Sequence, residues 1–252
     1  MLPFSKKLIR RREEIPCPFL LPALQANSEA LSSNICSKKV PAAQITAVVR
    51  NVEKASSLAG LGIEVRYGDY TKPESLQQAF SGASKLLFIS SPDSDDTLRV
   101  VQHANVVKAA RDAGVQHIAY TGYAFGEESI VPLAQVHLAT EHAIRTTGIP
   151  YTFLRNSLYT EVFINPGLGA SVEHGAIVTN TGRGTVNSVT RSDLALAAAT
   201  VLAGEGHENK TYNLVSNQTW SFDDLAQIVS EVTGKKSRSP VRFLRRRKKI
   251  YS

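Results

Sequence analysis

Residues 140–161 read TEHAIRTTGIPYTFLRNSLYTE, and the fold turns on them. Apolar residues recur at helical spacing from Leu133 to Thr147, and Gly148 stops the pattern. Tyr151–Arg155 (YTFLR) then reads as a strand, and it ends on a polar stretch, Asn156–Glu161. A helix that passes through one glycine into a strand is a repeating unit of an α/β sheet.

Outward from this unit the alternation continues. Upstream lie the strands Gln44–Arg50 (QITAVVR), Ile63–Tyr67 (IEVRY), Lys85–Ser90 (KLLFIS) and His117–Thr121 (HIAYT). Between them the spacing predicts helices over Val52–Leu61, Lys72–Phe80 and Leu98–Ala113, ended by glycine or opened by Pro73. Downstream come a helix over Ser192–Leu202, a strand over Thr211–Val215 and a helix opening at Ser221-Phe222-Asp223-Asp224. Thr190-Arg191-Ser192-Asp193 reads as a capped helix start. The expected fold is α/β: a Rossmann-type, doubly wound parallel sheet with a small C-terminal α/β cap.

Composition narrows the class. Hydrophobic residues make 42% and charged residues 20%, as in an ordinary globule, and no apolar run is long enough to span a bilayer. The two cysteines, Cys17 and Cys36, both stand near the front, which suits a reducing cytoplasm and argues against a cysteine metal site. The net charge is +7, but residues 235–252 hold nine Lys and Arg and no acid. Residues 38–234 hold 15 bases and 19 acids. The body is mildly acidic and carries no nucleic-acid-binding module. A front resembling a signal peptide, Lys6–Arg12 followed by Ile15–Ala26, is spoiled by Glu13, Glu14 and three prolines.

Several segments together resemble the NmrA-like branch of the atypical short-chain dehydrogenases, nearest its NAD(P)H-dependent quinone oxidoreductases. They are VPAAQITAVVRNVEKA, YGDY, LLFISS, GVQHIAYTGY, the stretch at 140–161, TRSDLALAAATVL and YNLVSNQTWSFDDLAQ, spanning residues 39–234. The resemblance implies a cytoplasmic reductase that moves hydride from NADPH to a quinone or similar electron-poor acceptor. A homodimer is compatible with it. The alternative is a dinucleotide-sensing regulator of the NmrA type, which binds without turnover and acts through a protein partner.

Arg50 ends a strand where the adenosine ribose belongs, with Asn51 and Lys54 beside it; an arginine there favours the 2′-phosphate of NADPH. Asp69 and Tyr70 would flank the adenine. Ser90 and Ser91 close a strand whose C-terminal end should face the cofactor. Thr121 follows at the nicotinamide end, and Asn156, Ser157, Tyr159 and Glu161 would line the nicotinamide–acceptor cleft. Catalytic candidates are Thr121, His137, Asn156 and Tyr159. No tyrosine is followed four residues later by lysine, so the usual tyrosine–lysine proton relay is missing. His137, Glu141 and His142 match no zinc-protease spacing; they read as a solvated helix face with no metal, His137 bordering the cleft.

The ends depart from this pattern. The first 59 residues hold no glycine, although the family opens on a strand and a turn of the type ILVTGATGxxG. Pro16, Pro18 and Pro22 argue against a central strand there, so the first strand is expected to be lost. Shifting the reading frame across residues 18–38 permits ILVTGATGKFGSFVIEHLLK, and the opposite shift near the tail permits SFEEE. Residues 1–37 and 235–252 are therefore expected to be out-of-frame segments around an NAD(P)-binding body at 38–234. Such a chain should be impaired in NADPH binding.

Overall fold

In the computed structural model, residues 19–22 and 40–234 are described. Most of the proposed out-of-frame segments, both cysteines and the basic tail lie outside them. The chain forms strands β1 (Phe19–Pro22), β2 (Ile45–Val49), β3 (Glu64–Tyr67), β4 (Lys85–Phe88), β5 (His117–Tyr123), β6 (Tyr151–Asn156) and β10 (Lys210–Leu214). They pair, all in parallel, as one sheet in the order β10-β6-β5-β4-β1-β2-β3. The order reverses between β1 and β4, and ligands of open α/β sheets bind outside the strand ends at such a switch point.

One expectation is corrected here. A first strand is present, in the central place. Phe19–Pro22 pairs with Ile45–Val48 on one side, and only Phe19 and Leu20 pair with Lys85 and Leu86 on the other. Pro22 stands at the last position, where a missing N–H interrupts the ladder least. The proline does not abolish this strand.

Strands β2, β4, β5 and β6 bury both faces, as the inner strands of a parallel sheet do. Leu86, Phe88, Ile118, Tyr120 and Phe153 point to one core, under helices α2 (Pro73–Ala79), α3 (Asp96–Asp112) and α4 (Pro132–Thr146). Their neighbours Leu87, Ala119 and Leu154 point to the other, against α7 (Arg191–Ala203). Small residues on both partners, Ala47 and Ala119 on the sheet and Ala198 and Ala199 on the helix, make that layer. The helix predicted over Val52–Leu61 is shorter than expected: a 3-10 turn, Glu53–Ala55, runs into α1 (Ser56–Ala59).

After β6 the chain leaves the sheet through β7 (Leu158–Tyr159), α5 (Thr160–Phe163), α6 (Pro166–Glu173), β8 (Thr185–Val186) and β9 (Ser188–Val189). Following β10, strand β11 (Trp220–Ser221) pairs antiparallel with β8 and leads into α8 (Phe222–Thr233). Ser221 and Asp224 form a reciprocal capping box at the start of α8, and Gly234, at φ 68°, ends it in the left-handed region. Ile177, Leu225, Ala226 and Val229 give this cap its own small core.

Candidate functional site

Three strand ends meet in one cleft of about 320 Å³. The end of β4 supplies Ser90 and Ser91, β5 supplies Thr121–Tyr123, and β6 with β7 supplies Asn156–Tyr159. Ser90 N–H donates to Thr121 Oγ1 at 3.0 Å, tying the first two ends together. Ser157 Oγ donates to the Asn187 carbonyl at 2.8 Å, and β7 pairs with β9, which ties the third to the cap.

Helix α3 braces this floor. Asp95 caps it, accepting from Thr97 and Leu98 N–H groups. The first turn then aims Arg99 back at β4, where its Nη2 donates to Ser90 Oγ at 2.9 Å. Arg99 is 9% exposed, lines the cleft, and its Nε is buried with no partner among the described residues. Ser91 is held by Gln102 and His103: its hydroxyl donates to Gln102 Oε1, and its N–H to His103 Nε2 at 2.9 Å.

Beneath β5 and β6 lies an ion cluster. Arg155 donates to both oxygens of Glu141, at 2.9 and 2.8 Å, and to both of Glu127, at 2.7 and 2.6 Å. Glu141 is 1% exposed. The helix face read as solvated is therefore buried at His137 and Glu141; only His142 faces outward. Charge misled the reading, because the neutralising arginine comes from another element. A Cβ on Gly122 would stand 3.2 Å from Glu141 Oε1 and 3.4 Å from Arg155 Cγ, so glycine lets the cleft floor lie on this cluster.

Burial drives two imidazoles to neutrality. His103 falls to about 3, chiefly by burial, with the nearby charges of His137 and Arg99 adding to it. His137 falls to about 3 by burial and then by Arg99. Burial also lowers His117. These groups stay unprotonated in the folded chain but gain protons near pH 6.5 when it unfolds, so the stability they confer is present above that pH and is lost as pH falls. Thermal melts should give a lower Tm at pH 5 than at pH 7, with a slope approaching about 1.4 kcal/mol per pH unit for each such group. The carboxylates with lowered values, Glu64 and Asp112 among them, act below this window. A Tm flat from pH 7 to 5 would show that these histidines are not held neutral.

The sequence candidates separate into two groups. Ser90, Ser91, Thr121, His137, Asn156, Ser157 and Tyr159 line the one cleft. Arg50, Asn51 and Lys54 stand exposed beyond the end of β2, with Asn51 Oδ1 accepting from the Lys54 N–H. Asp69 is half-buried and accepts from the backbone and hydroxyl of Thr71. The ring of Tyr70 is buried, and its hydroxyl donates to the Ile89 carbonyl at 2.9 Å, so it supports the end of β4 from within. Glu161 does not line the cleft; it accepts from the Arg191 N–H at 2.9 Å and pairs with that side chain at 3.5 Å. Arg191, whose guanidinium lies 4.6 Å from the centre of the Tyr159 ring, and Tyr123 also line the cleft, and Arg99 is a cleft residue the sequence reading missed. A basic residue in the first turn of a helix that follows a sheet strand was the available signal for Arg99.

Residues 31–205 match a family model described as NAD(P)H-binding. The chain is 43% identical over 198 residues to quinone oxidoreductase 2 of Escherichia coli, covering 79% of this chain and 68% of that protein. It is 28% identical to the NAD(P)H azoreductase of Xenophilus azovorans, over 79% of this chain and 67% of that one. The crystal structure of Citrobacter sp. triphenylmethane reductase complexed with NADP(H) superposes with a TM-score of 0.87 at 68% identity, covering 89% of this chain and 79% of that one.

Proposed function

This chain belongs to the NAD(P)H-binding, NmrA-like reductase family, and from that premise we propose that it transfers hydride from NADPH to an electron-poor conjugated acceptor, a quinone or a triphenylmethane dye cation. The observation that carries the reading is the cleft at the ends of β4, β5 and β6, beside the switch point of the sheet. Bound NADPH would supply the hydride. The described residues fit it at both ends. Asn156, whose amide has no hydrogen-bond partner among the described residues, and Thr121 suit the nicotinamide end. Arg50, Asn51 and Lys54 suit a ribose 2′-phosphate. The protein's part is to hold two rings in register and to exclude competing geometry. Leu133, Leu158 and Val162 give the acceptor apolar walls, and Tyr159, backed by Arg191, gives it an aromatic one.

The two acceptors differ in charge. Hydride adding to a dye cation yields a neutral product and needs no proton. Hydride adding to a quinone leaves a hydroquinone monoanion, which must be stabilised and later protonated. The 68% identity to the triphenylmethane reductase favours the dye; the 43% identity to the quinone oxidoreductase favours the quinone. Missing the tyrosine–lysine relay suits both. We further propose that residues 38–234 form the NAD(P)-binding body and that the chain as written is impaired in NADPH binding.

The test is NADPH oxidation with crystal violet or duroquinone, for this chain and for a form whose residues 18–38 are replaced by ILVTGATGKFGSFVIEHLLK. The expected result is turnover by the replaced form with at least one acceptor, and less by this chain. Tight NADPH binding without turnover of either acceptor would instead favour the dinucleotide sensor.

A further inference from the structure

His137 lines the cleft but is 6% exposed, and its two nitrogens meet different surroundings. Nδ1 faces inward, 2.8 Å from the hydroxyl of Tyr120. Nε2 has no hydrogen-bond partner among the described residues and is not among the buried unpartnered atoms.

The neighbouring groups decide which nitrogen holds the proton. The Ser91 N–H donates to His103 Nε2, so the proton of neutral His103 is on Nδ1 and is donated to Thr140 Oγ1 at 2.7 Å. Thr140 in turn directs its own proton to the Val136 carbonyl at 2.8 Å. Ser90 Oγ, the other hydroxyl near Tyr120, already accepts from Arg99. Tyr120 is fully buried, and burial pushes its phenol above the usual range, so it keeps its proton and must donate it. The Thr140 and Ser90 hydroxyl oxygens each keep a second lone pair, but the acceptor that stands at hydrogen-bond distance and angle from the Tyr120 hydroxyl is His137 Nδ1, at 2.8 Å. The neutral imidazole then carries its own proton on Nε2, at the edge that meets the cleft.

We propose that His137, fixed by Tyr120 as the Nε2–H tautomer, donates a hydrogen bond to the carbonyl oxygen of a quinone-type acceptor and stabilises the negative charge that hydride transfer places there. The inference rests on the hydride-transfer reading above and names the group that would let one cleft serve an acceptor that ends as an anion. The balance is simple. The quinone gains hydride and becomes the hydroquinone monoanion, and the proton that completes it comes from water at the cleft mouth. His137 does not give up its proton. Among the described residues the hydrogen-bond partner of its Nδ1 is a phenol that burial keeps protonated, which gives it no second proton to replace one lost. Arg99, whose buried Nε lacks a partner, lies near enough to disfavour a charged imidazole and adds a positive field on the same side. Tyr120 acts through His137 and is a positioning residue.

Imidazole ¹⁵N NMR of the full chain tests the tautomer without turnover. The expected spectrum at pH 7 shows His137 neutral and protonated at Nε2, with that resonance shifting when duroquinone is added. Tyr120→Phe should yield a mixed tautomer. A His137 that is charged or protonated at Nδ1, or whose resonance ignores duroquinone, overturns the proposal. The kinetic arm compares acceptors. His137→Phe should lower kcat for duroquinone by about a hundredfold, the range for losing one oxyanion donor. The loss with crystal violet should be at least tenfold smaller. His137→Gln, which keeps an N–H donor, should recover part of the quinone rate. Equal losses with both acceptors would mean a merely structural histidine. If neither this chain nor the form with residues 18–38 replaced turns over either acceptor while the NMR result holds, the hydride-transfer reading fails and the tautomer assignment stands.

Discussion

Arg155→Met is expected to destabilise the chain by about 3–5 kcal/mol, the range for leaving a buried charge without its partner. The Arg155 side chain is 8% exposed and that of Glu141 only 1%. With the guanidinium gone, the buried Glu141 carboxylate would be left without its partner, which is costly. Glu127 suffers less, because its side chain is 59% exposed and returns to water. Glu141, more than Glu127, holds the Arg155 guanidinium above its usual range. A double variant, Glu141→Leu with Arg155→Met, removes both charges and should be more stable than Arg155→Met alone, since an apolar pair of similar volume can replace a buried ion pair at little cost. Denaturant unfolding of the three proteins measures this. A single-variant loss below about 1 kcal/mol would place the pair among weak surface contacts, and additive losses would mean that packing, not charge, sets the cost. The cluster also bears on function, because it lies under Gly122 in the cleft floor.

That cluster marks where the sequence was legible and where it was not. The alternation of strands and helices was readable from local pattern alone, because period-2 and period-3.6 spacing and helix stops at Gly114 and Gly148 are local signals. The capped starts at Thr190 and Ser221 were readable for the same reason. Polar residues at the ends of KLLFIS, HIAYT and YTFLR pointed to a site, and seven of the candidates do line one cleft. Glu141 was misread because its partner lies 14 residues away on the next strand. Arg99 was missed because only the folded sheet brings its helix start to this opening. The Tyr70 ring looked like a cofactor neighbour in YGDY, yet its hydroxyl is bonded within the core. The central strand was misjudged for another reason. Proline lowers local propensity, but Phe19–Pro22 falls between two strands that need a neighbour, and tertiary pairing outweighs propensity there.

A strand in the central place does not by itself make a dinucleotide site, and this leads to the second large effect expected. Replacing residues 18–38 by ILVTGATGKFGSFVIEHLLK should tighten NADPH binding by two orders of magnitude or more. In folds of this class the pyrophosphate rests on backbone N–H groups at the turn after the first strand, and glycines there let the chain approach closely. This chain has no glycine before Gly60, so every position near that turn carries a side chain. Losing two hydrogen bonds to a charged group costs about 3 kcal/mol or more, which is over a hundredfold in Kd. The Arg50 end and the Asn156 end would still recognise their parts of the cofactor, so binding by the chain as written should be weak and not absent. Fluorescence titration with NADPH separates the alternatives. Tight, stoichiometric binding by both proteins would mean that the described cleft holds the dinucleotide without a glycine turn, and the proposed impairment would fall. Weak binding by both would mean that the shifted frame does not restore the site, and the boundary at residue 38 would lose its support. A large gain confined to the replaced form would assign the deficit to the front of the chain and leave the cleft at β4, β5 and β6 competent as built.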